Sequence, residues 1–214
     1  LRLQPGILKE GADALAIVTK WKVFRASGFS AVKAELKKPV FFRRAQSVRA
    51  EESQGLWHRI SFKRQTMSIY KVIEIEHLTE STYRLRTDRP NVPIKAGQCF
   101  NVGILGAGVN REYSMYSAAD APYVDFLIKE VGGGLVSPAL KRLQAGDPVE
   151  VHGPYGEFCI KEHVCPEQHY LFIATGTGIA PFHSFVKTFP NLNYTILHGV
   201  RNSHEQYHAS VYAQ

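Results

Sequence analysis

The stretch Arg111-Glu112-Tyr113-Ser114-Met115-Tyr116-Ser117 decides how the rest of the chain is read. In an extended strand, side chains alternate between two faces. Arg111, Tyr113 and Met115 then share one face, while Glu112, Ser114 and Tyr116 share the other. Twist or a bulge near the strand end returns Ser114 and Ser117 towards a common site. The first face offers a forked cation for a phosphate and a flat ring for stacking. The small hydroxyls can bond a polar ring edge without covering it. Those are the requirements of a bound flavin nucleotide. A plain β-strand with a surface arginine satisfies the same string, so the motifs around it have to separate the two readings.

Downstream comes Gly132-Gly133-Gly134-Leu135-Val136-Ser137-Pro138. A glycine run entering a helix presents free N–H groups and the positive end of the helix dipole to an anion. Glycine lets a phosphate reach the backbone there, whereas an ordinary strand–turn–helix connection needs one glycine at most. Ser137 reads as the N-cap of a helix over Ser137–Leu143, with Pro138 at its first position and Gly146 beyond its end. Ala145-Gly146-Asp147 and Gly153-Pro154-Tyr155-Gly156-Glu157-Phe158 follow, and last Ile173-Ala174-Thr175-Gly176-Thr177-Gly178-Ile179-Ala180-Pro181.

That final glycine turn starts where the apolar run Tyr170–Ala174 ends, and a run of this kind marks a strand buried on both faces of a parallel sheet. The helix Pro181–Thr188 and the strand Asn193–Val200 complete one βαβ unit. Open α/β sheets bind nucleotides at the carboxyl ends of their strands, where this turn lies. Pro181 takes the third glycine position of G-x-G-x-x-G, so the turn alone is a weak nucleotide signal. Ser203–Gln214 reads as the start of a second helix, and His198 as a satisfied core or edge residue.

Between Met67 and Gly153, short segments alternate with turn signals. The strands read from them are Ser68–Glu76, Thr82–Thr87, Cys99–Ile104, Arg111–Ser117, Val124–Lys129 and Val149–His152. Six strands at this spacing predict a small antiparallel barrel. The expected fold is therefore β plus α/β, an antiparallel six-stranded flavin-binding barrel followed by an incomplete Rossmann-like parallel α/β nucleotide domain. The expected domains are 1–66, a basic extension read as disordered or non-native; 67–163, the flavin-binding barrel; and 164–214, a partial nucleotide-binding domain.

The net charge of +7 is unevenly placed. Residues 1–66 hold 14 Lys and Arg against 5 Asp and Glu, a net +9, and residues 67–214 hold 12 against 14, a net −2. The surplus thus belongs to the front segment, a distribution that argues against a nucleic-acid reading. Within that segment, Leu15, Val18, Trp21 and Phe24 fall near one face of a helical reading over Asp13–Phe24. No apolar run approaches the length of a membrane span. Cys99, Cys159 and Cys165 suit neither a disulfide framework nor a metal or cluster motif and are expected as reduced thiols of a cytoplasmic protein. No Ser-His-Asp or metal-ligand cluster stands out.

The four motifs, in this order over residues 67–214, closely resemble the ferredoxin–NADP reductase superfamily of flavin-dependent oxidoreductases. The resemblance implies that the chain is C-terminally truncated, that FAD (or FMN) is held by the R-x-Y-S-x-x-S strand, and that NADP or NAD is the reductant. Arg111 would bind the flavin diphosphate, Tyr113 would pack on the isoalloxazine face, and Ser114 would sit near its N5, with Ser117 beside it. Tyr113 and Ser114 are thereby the implied catalytic contacts. Gly133, Gly134, Val136 and Ser137 would complete the phosphate site. Thr175, Gly176, Thr177 and Gly178 would receive the pyridine-nucleotide diphosphate, and Arg201 resembles a position that meets a ribose 2′-phosphate. The implied partner is a ferredoxin, a flavodoxin or an oxygenase. Two other readings remain: a flavin-binding regulatory or sensor module without turnover, and a basic interaction protein acting through residues 1–66.

Overall fold

The structure is a computed structural model that describes residues 14–18, 41–43, 68–89, 91–160 and 167–212. Six strands build the barrel: β3 (Ser68–His77), β4 (Thr82–Asp88), β5 (Cys99–Ile104), β6 (Asn110–Ser114), β7 (Tyr123–Lys129) and β8 (Pro148–Tyr155). Their order is β6-β5-β8-β3-β4-β7, and every pairing in it is antiparallel. Alternation sends Tyr70 and Val72 inward from β3, and Tyr83 and Leu85 from β4, to a core centred on Phe100 and Phe126. Those two rings meet edge to face at 5.6 Å, a preferred aromatic geometry. The predicted barrel is present, with β8 running on through Pro154 to Tyr155 where the strand had been read to end at His152.

The terminal strands β6 and β7 close the barrel at one end only. Met115 bridges Phe126, and the Tyr116 N–H donates to the Asp125 carbonyl at 2.7 Å. Before that point β6 carries its ladder on the β5 side, and its other edge faces the gap towards β7. The strand predicted over Arg111–Ser117 is therefore two things: a strand to Ser114, then a buried stitch from Met115 to Ser117.

The parallel sheet has the order β10-β9-β1-β2. Strands β9 (Tyr170–Thr175) and β10 (Tyr194–Gly199), with helix α2 (Ala180–Thr188) between them, are the predicted βαβ unit. The other two strands are β1 (Ala14–Val18) and β2 (Phe41–Arg43), which pair parallel to β9 and to each other. Two expectations are corrected here. The sheet is not limited to two strands, and Ala14–Val18 is strand where a helix had been read. Over a short apolar run, helical periodicity and a buried strand look alike, and the register Leu15↔Leu171, Ile17↔Ile173 decides it. The rest of the basic front segment lies outside the described residues. A third correction concerns residues 203–212, which form two short 3₁₀ turns, Ser203–Glu205 and Ala209–Val211, and not a helix.

Barrel and sheet share a second core, in which Phe172, Phe182 and Phe185 pack with Tyr116 and Leu127 from the barrel. Strand β7 is thus buried on both faces, with Phe126 turned into the barrel and Leu127 towards α2. Its Asp125, 4% exposed, is gripped by Arg86 through Nε and Nη2 at 2.8 and 3.0 Å. Tyr116 is the hub of the seam. Its ring stacks on His183 at 3.8 Å, its carbonyl accepts from His183 Nδ1 at 2.6 Å, and its hydroxyl bonds His208 Nδ1 at 2.8 Å. The Ala119 N–H donates to Thr188 Oγ1, and Lys129 pairs with Glu205.

Candidate functional site

The open edge of β6 carries the first group of site residues. Arg111 is exposed, and its Nη1 donates to the Asn110 carbonyl at 2.8 Å. Tyr113 is half-buried against the barrel core. Burial pushes the Tyr113 hydroxyl up to about 12, against the opposing pull of the nearby Arg111 charge. The tyrosine is neutral near pH 7, with one side on the core and its neighbour a guanidinium. Ser114 is buried and sits opposite Cys99 in register, on the other face of the strand.

The far side of the gap is the connection after β7. Gly134 N–H donates to the Val131 carbonyl at 2.8 Å, closing a tight turn, and Gly133 takes a left-handed φ of 72°. A Cβ on Gly134 would lie 2.9 Å from that carbonyl, whereas Gly132 and Gly133 face open space. One glycine is thus demanded by the turn, and two leave backbone accessible from the gap. Helix α1 (Ser137–Lys141) follows. Its N-cap is Val136, not the predicted Ser137, because the Ser137 hydroxyl turns back to accept the Val131 N–H at 3.0 Å. Val136 is itself buried in the barrel core.

Sequence reasoning missed Tyr83. It is fully buried, and its hydroxyl donates to the Ser137 carbonyl at 2.6 Å, fixing the start of α1 to the barrel wall. Burial pushes its ionisation up well beyond the ordinary range, with Tyr113 a further contributor. The signal was available: a tyrosine at an inward strand position needs a partner for its hydroxyl.

Ser117 is not brought together with Arg111 and Tyr113. Its hydroxyl accepts from the Asp125 N–H at 3.2 Å and donates to the Tyr123 carbonyl at 3.5 Å, within the barrel seam. The glycine turn Gly176–Ile179 leads straight into α2 and abuts β7. Thr175 and Gly176 straddle the end of β9, Thr177 and Gly178 lie in the turn, and Gly176 adopts φ 51°. His198 Nε2 donates to the Gly176 carbonyl at 2.8 Å, so this histidine is satisfied, as expected, and secures the turn. Arg201 is exposed, and its backbone N–H donates to Glu205 Oε2. Lys129 first, then the Arg201 N–H, hold the Glu205 carboxyl below the usual range.

The residues fit a flavin nucleotide. An exposed guanidinium, a half-buried neutral phenol ring and accessible glycine backbone border one gap, and their chemistry matches a phosphate and an aromatic ring system. Among the described residues there is no cluster able to hold a metal ion and no helix long and apolar enough to cross a membrane. Cys99 and Cys159 form no disulfide with each other, and Cys165 lies outside the described residues.

Residues 69–160 match the family model of the oxidoreductase FAD-binding domain. The chain is 31% identical over 137 residues to a flavodoxin/ferredoxin–NADP reductase of Escherichia coli, covering 61% of this chain and 55% of that protein. It is 35% identical over 123 residues to the reductase component of propane 2-monooxygenase from Rhodococcus jostii, covering 55% of this chain and 32% of that protein. A crystal structure of a ferredoxin–NADP⁺ reductase from Neisseria gonorrhoeae with bound FAD and NADP shares the fold, with a TM-score of 0.57 at 22% identity over 67% of this chain and 61% of that one. The chain spans about half the length of the Escherichia coli reductase. Barrel and motif order agree with these matches: residues 69–160 match the oxidoreductase FAD-binding domain, and the chain is similar to ferredoxin–NADP reductases.

Proposed function

We propose that this chain is the flavin-holding part of an NAD(P)H-dependent flavoprotein reductase that passes electrons to a ferredoxin, a flavodoxin or an oxygenase. The observation that carries the reading is the open edge of β6, where Arg111 and Tyr113 face the gap bordered by Gly132–Ser137, inside a domain of the FAD-binding family. Arg111 would hold the diphosphate, and the accessible N–H groups of Gly133 and Gly134 would complete its binding. Tyr113 would pack on the ring system, its core-facing side fixing the ring plane. Ser114 would offer a hydroxyl at the ring edge, while Val136, Ser137 and Ser117 support the walls from inside the barrel. Bound flavin supplies the link between a two-electron donor and a one-electron acceptor.

The turn Thr175–Gly178 would receive the nicotinamide nucleotide, with Arg201 placed to meet a ribose 2′-phosphate. Support comes from its position at the carboxyl end of β9 against β7, and from relatives named as NADP reductases and oxygenase reductase components. A barrel limit near residue 67 is supported by the start of β3, while β1 and β2 extend the parallel sheet to segments before it. The test is direct. Purified protein reconstituted with FAD should show bands at about 370 and 450 nm, the colour being the cofactor's. These bands should bleach on mixing with NADPH in stopped flow. Protein that stays colourless after reconstitution would defeat the flavin reading, and a stable yellow protein untouched by NADPH and NADH would leave a flavin-binding module without turnover.

A further inference from the structure

We propose that Glu150 is a positioning residue for Arg111, acting across the outer face of the barrel through Asn110. The inference rests on the reading that Arg111 meets the flavin diphosphate, and it goes beyond it by naming what holds that arginine ready.

The cross-strand register supplies the geometry. Gly103 of β5 pairs with Asn110 of β6 on one side and with Glu150 of β8 on the other. Directly paired residues project from the same face of a sheet, so Asn110 and Glu150 flank a position that has no side chain. A Cβ at Gly103 would come within 2.8 Å of Asn110 Cβ and 2.5 Å of the Val109 carbonyl. Glycine here lets the β5–β6 hairpin fold down over the middle strand and lets the outer residues of the row reach each other.

Glu150 uses that opening. Its Oε1 pairs with His152 Nε2 at 2.7 Å, a neighbour two residues along the same face of β8. The hydrogen bond from His152 first, then the Gly106 N–H and the Asn110 side chain, hold its carboxyl below the ordinary range. One carboxylate therefore gathers both ends of the hairpin tip, and the second of those ends is Asn110. The carbonyl of Asn110 accepts the Arg111 Nη1 at 2.8 Å. Anchoring the Asn110 side chain steadies the peptide plane that carries this carbonyl, and the carbonyl in turn orients the guanidinium at the mouth of the gap. An exposed arginine otherwise samples many rotamers, and binding has to meet the cost of ordering it.

The experiment uses the full 214-residue chain, with affinities for FAD and for riboflavin read from flavin fluorescence, and circular dichroism as the folding control. Glu150→Ala is expected to weaken FAD about fivefold, the scale of an ordering cost shifted onto binding. Riboflavin carries no phosphate, and its affinity is expected to stay unchanged. Asn110→Ala breaks the relay at its other end and should reproduce the same pattern, which keeps the idea testable if Glu150→Ala folds poorly. Glu150→Gln retains an acceptor for Asn110 and Gly106 and should retain FAD affinity. In an Arg111→Ala background, Glu150→Ala should add nothing, because residues acting through one another are not additive.

Equal weakening of FAD and riboflavin would show a general structural role and overturn the inference, as would additive losses in the double variant. If Arg111→Ala alone leaves the ratio of FAD to riboflavin affinity untouched, the phosphate reading itself falls and takes this inference with it. A strong Arg111→Ala effect beside silent Glu150→Ala and Asn110→Ala variants defeats only the relay.

Discussion

Asn110–Ser114 and Met115–Ser117 are neighbours in sequence and opposites in use. The first segment has a free edge, an exposed arginine and a half-buried ring. The second is buried, at 0%, 1% and 4% exposure for Met115, Tyr116 and Ser117, and its polar groups are spent on structural partners: β7 and α2, the Gln98 carbonyl for the Met115 N–H, and His208 for the Tyr116 hydroxyl. A single chain segment thus changes from open strand edge to structural stitch within a residue or two. The lesson is that an open edge needs a rigid anchor immediately beside it, because a site is only as well ordered as the elements that hold it.

That contrast predicts that damage to the stitch should cost stability first, and damage to the edge should cost flavin first. The largest effect is expected for Tyr116→Ala. It removes a buried ring stacked on His183 and a hydroxyl bonded to His208, and should destabilise the protein by about 4 kcal/mol, the scale for a large aromatic in a core. Denaturant unfolding measures this, and an unchanged midpoint would mean that the seam is not structural.

Next comes pH. Burial first, with the charges of His208, Lys187 and Arg84 also contributing, lowers His183 from 6.5 to about 4. The native state therefore binds fewer protons than the unfolded state between these values, and stability falls as pH drops from about 6.5 towards 4. The full loss is about 3 kcal/mol for this group by linkage. His198 and His208, also lowered by burial, act in the same direction. Melting temperatures at pH 7 and pH 5 test the slope, and His183→Gln, which still donates to the Tyr116 carbonyl, should flatten it.

On the open edge, Arg111→Ala should weaken FAD by about 1.5–3 kcal/mol, the worth of a charge-assisted hydrogen bond, with little change in melting temperature. A variant that loses stability and keeps its flavin would reverse the comparison. The smallest effect belongs to Ser137→Ala, which leaves the Val131 N–H without its hydroxyl partner. A cost of about 1 kcal/mol is expected, shared between unfolding and flavin affinity because this hydroxyl supports the turn from within. Calorimetric unfolding with and without FAD separates the two parts.

Much of this was legible in the chain. Alternation in Thr82–Asp88 and Cys99–Ile104 and the apolar run at Tyr170 gave the right elements within a residue or two. The boundaries that moved did so where tertiary contacts intervene. The Ser137 hydroxyl abandons its own helix for the Val131 N–H, a choice available only once the glycine turn brings the two together. Val124–Lys129 reads as an alternating strand, yet is enclosed on both sides because α2 covers its outer face. Ala14–Val18 carries a helical-looking stripe, and its pairing partner β9 lies more than 150 residues away in the chain.

What the sequence by itself determined is local: which segments extend, which turn needs glycine, and where a guanidinium, a phenol ring and small hydroxyls fall along one strand. Side-chain alternation and backbone freedom act over a few residues, so a few residues suffice to read them. What only the tertiary structure decided is which edge of the barrel stays open, that Ser117 belongs to the seam and Arg111 to the mouth, and that Tyr83 holds α1 in place. Those outcomes depend on which surfaces meet, and burial and hydrogen-bond satisfaction are settled between segments far apart in the chain.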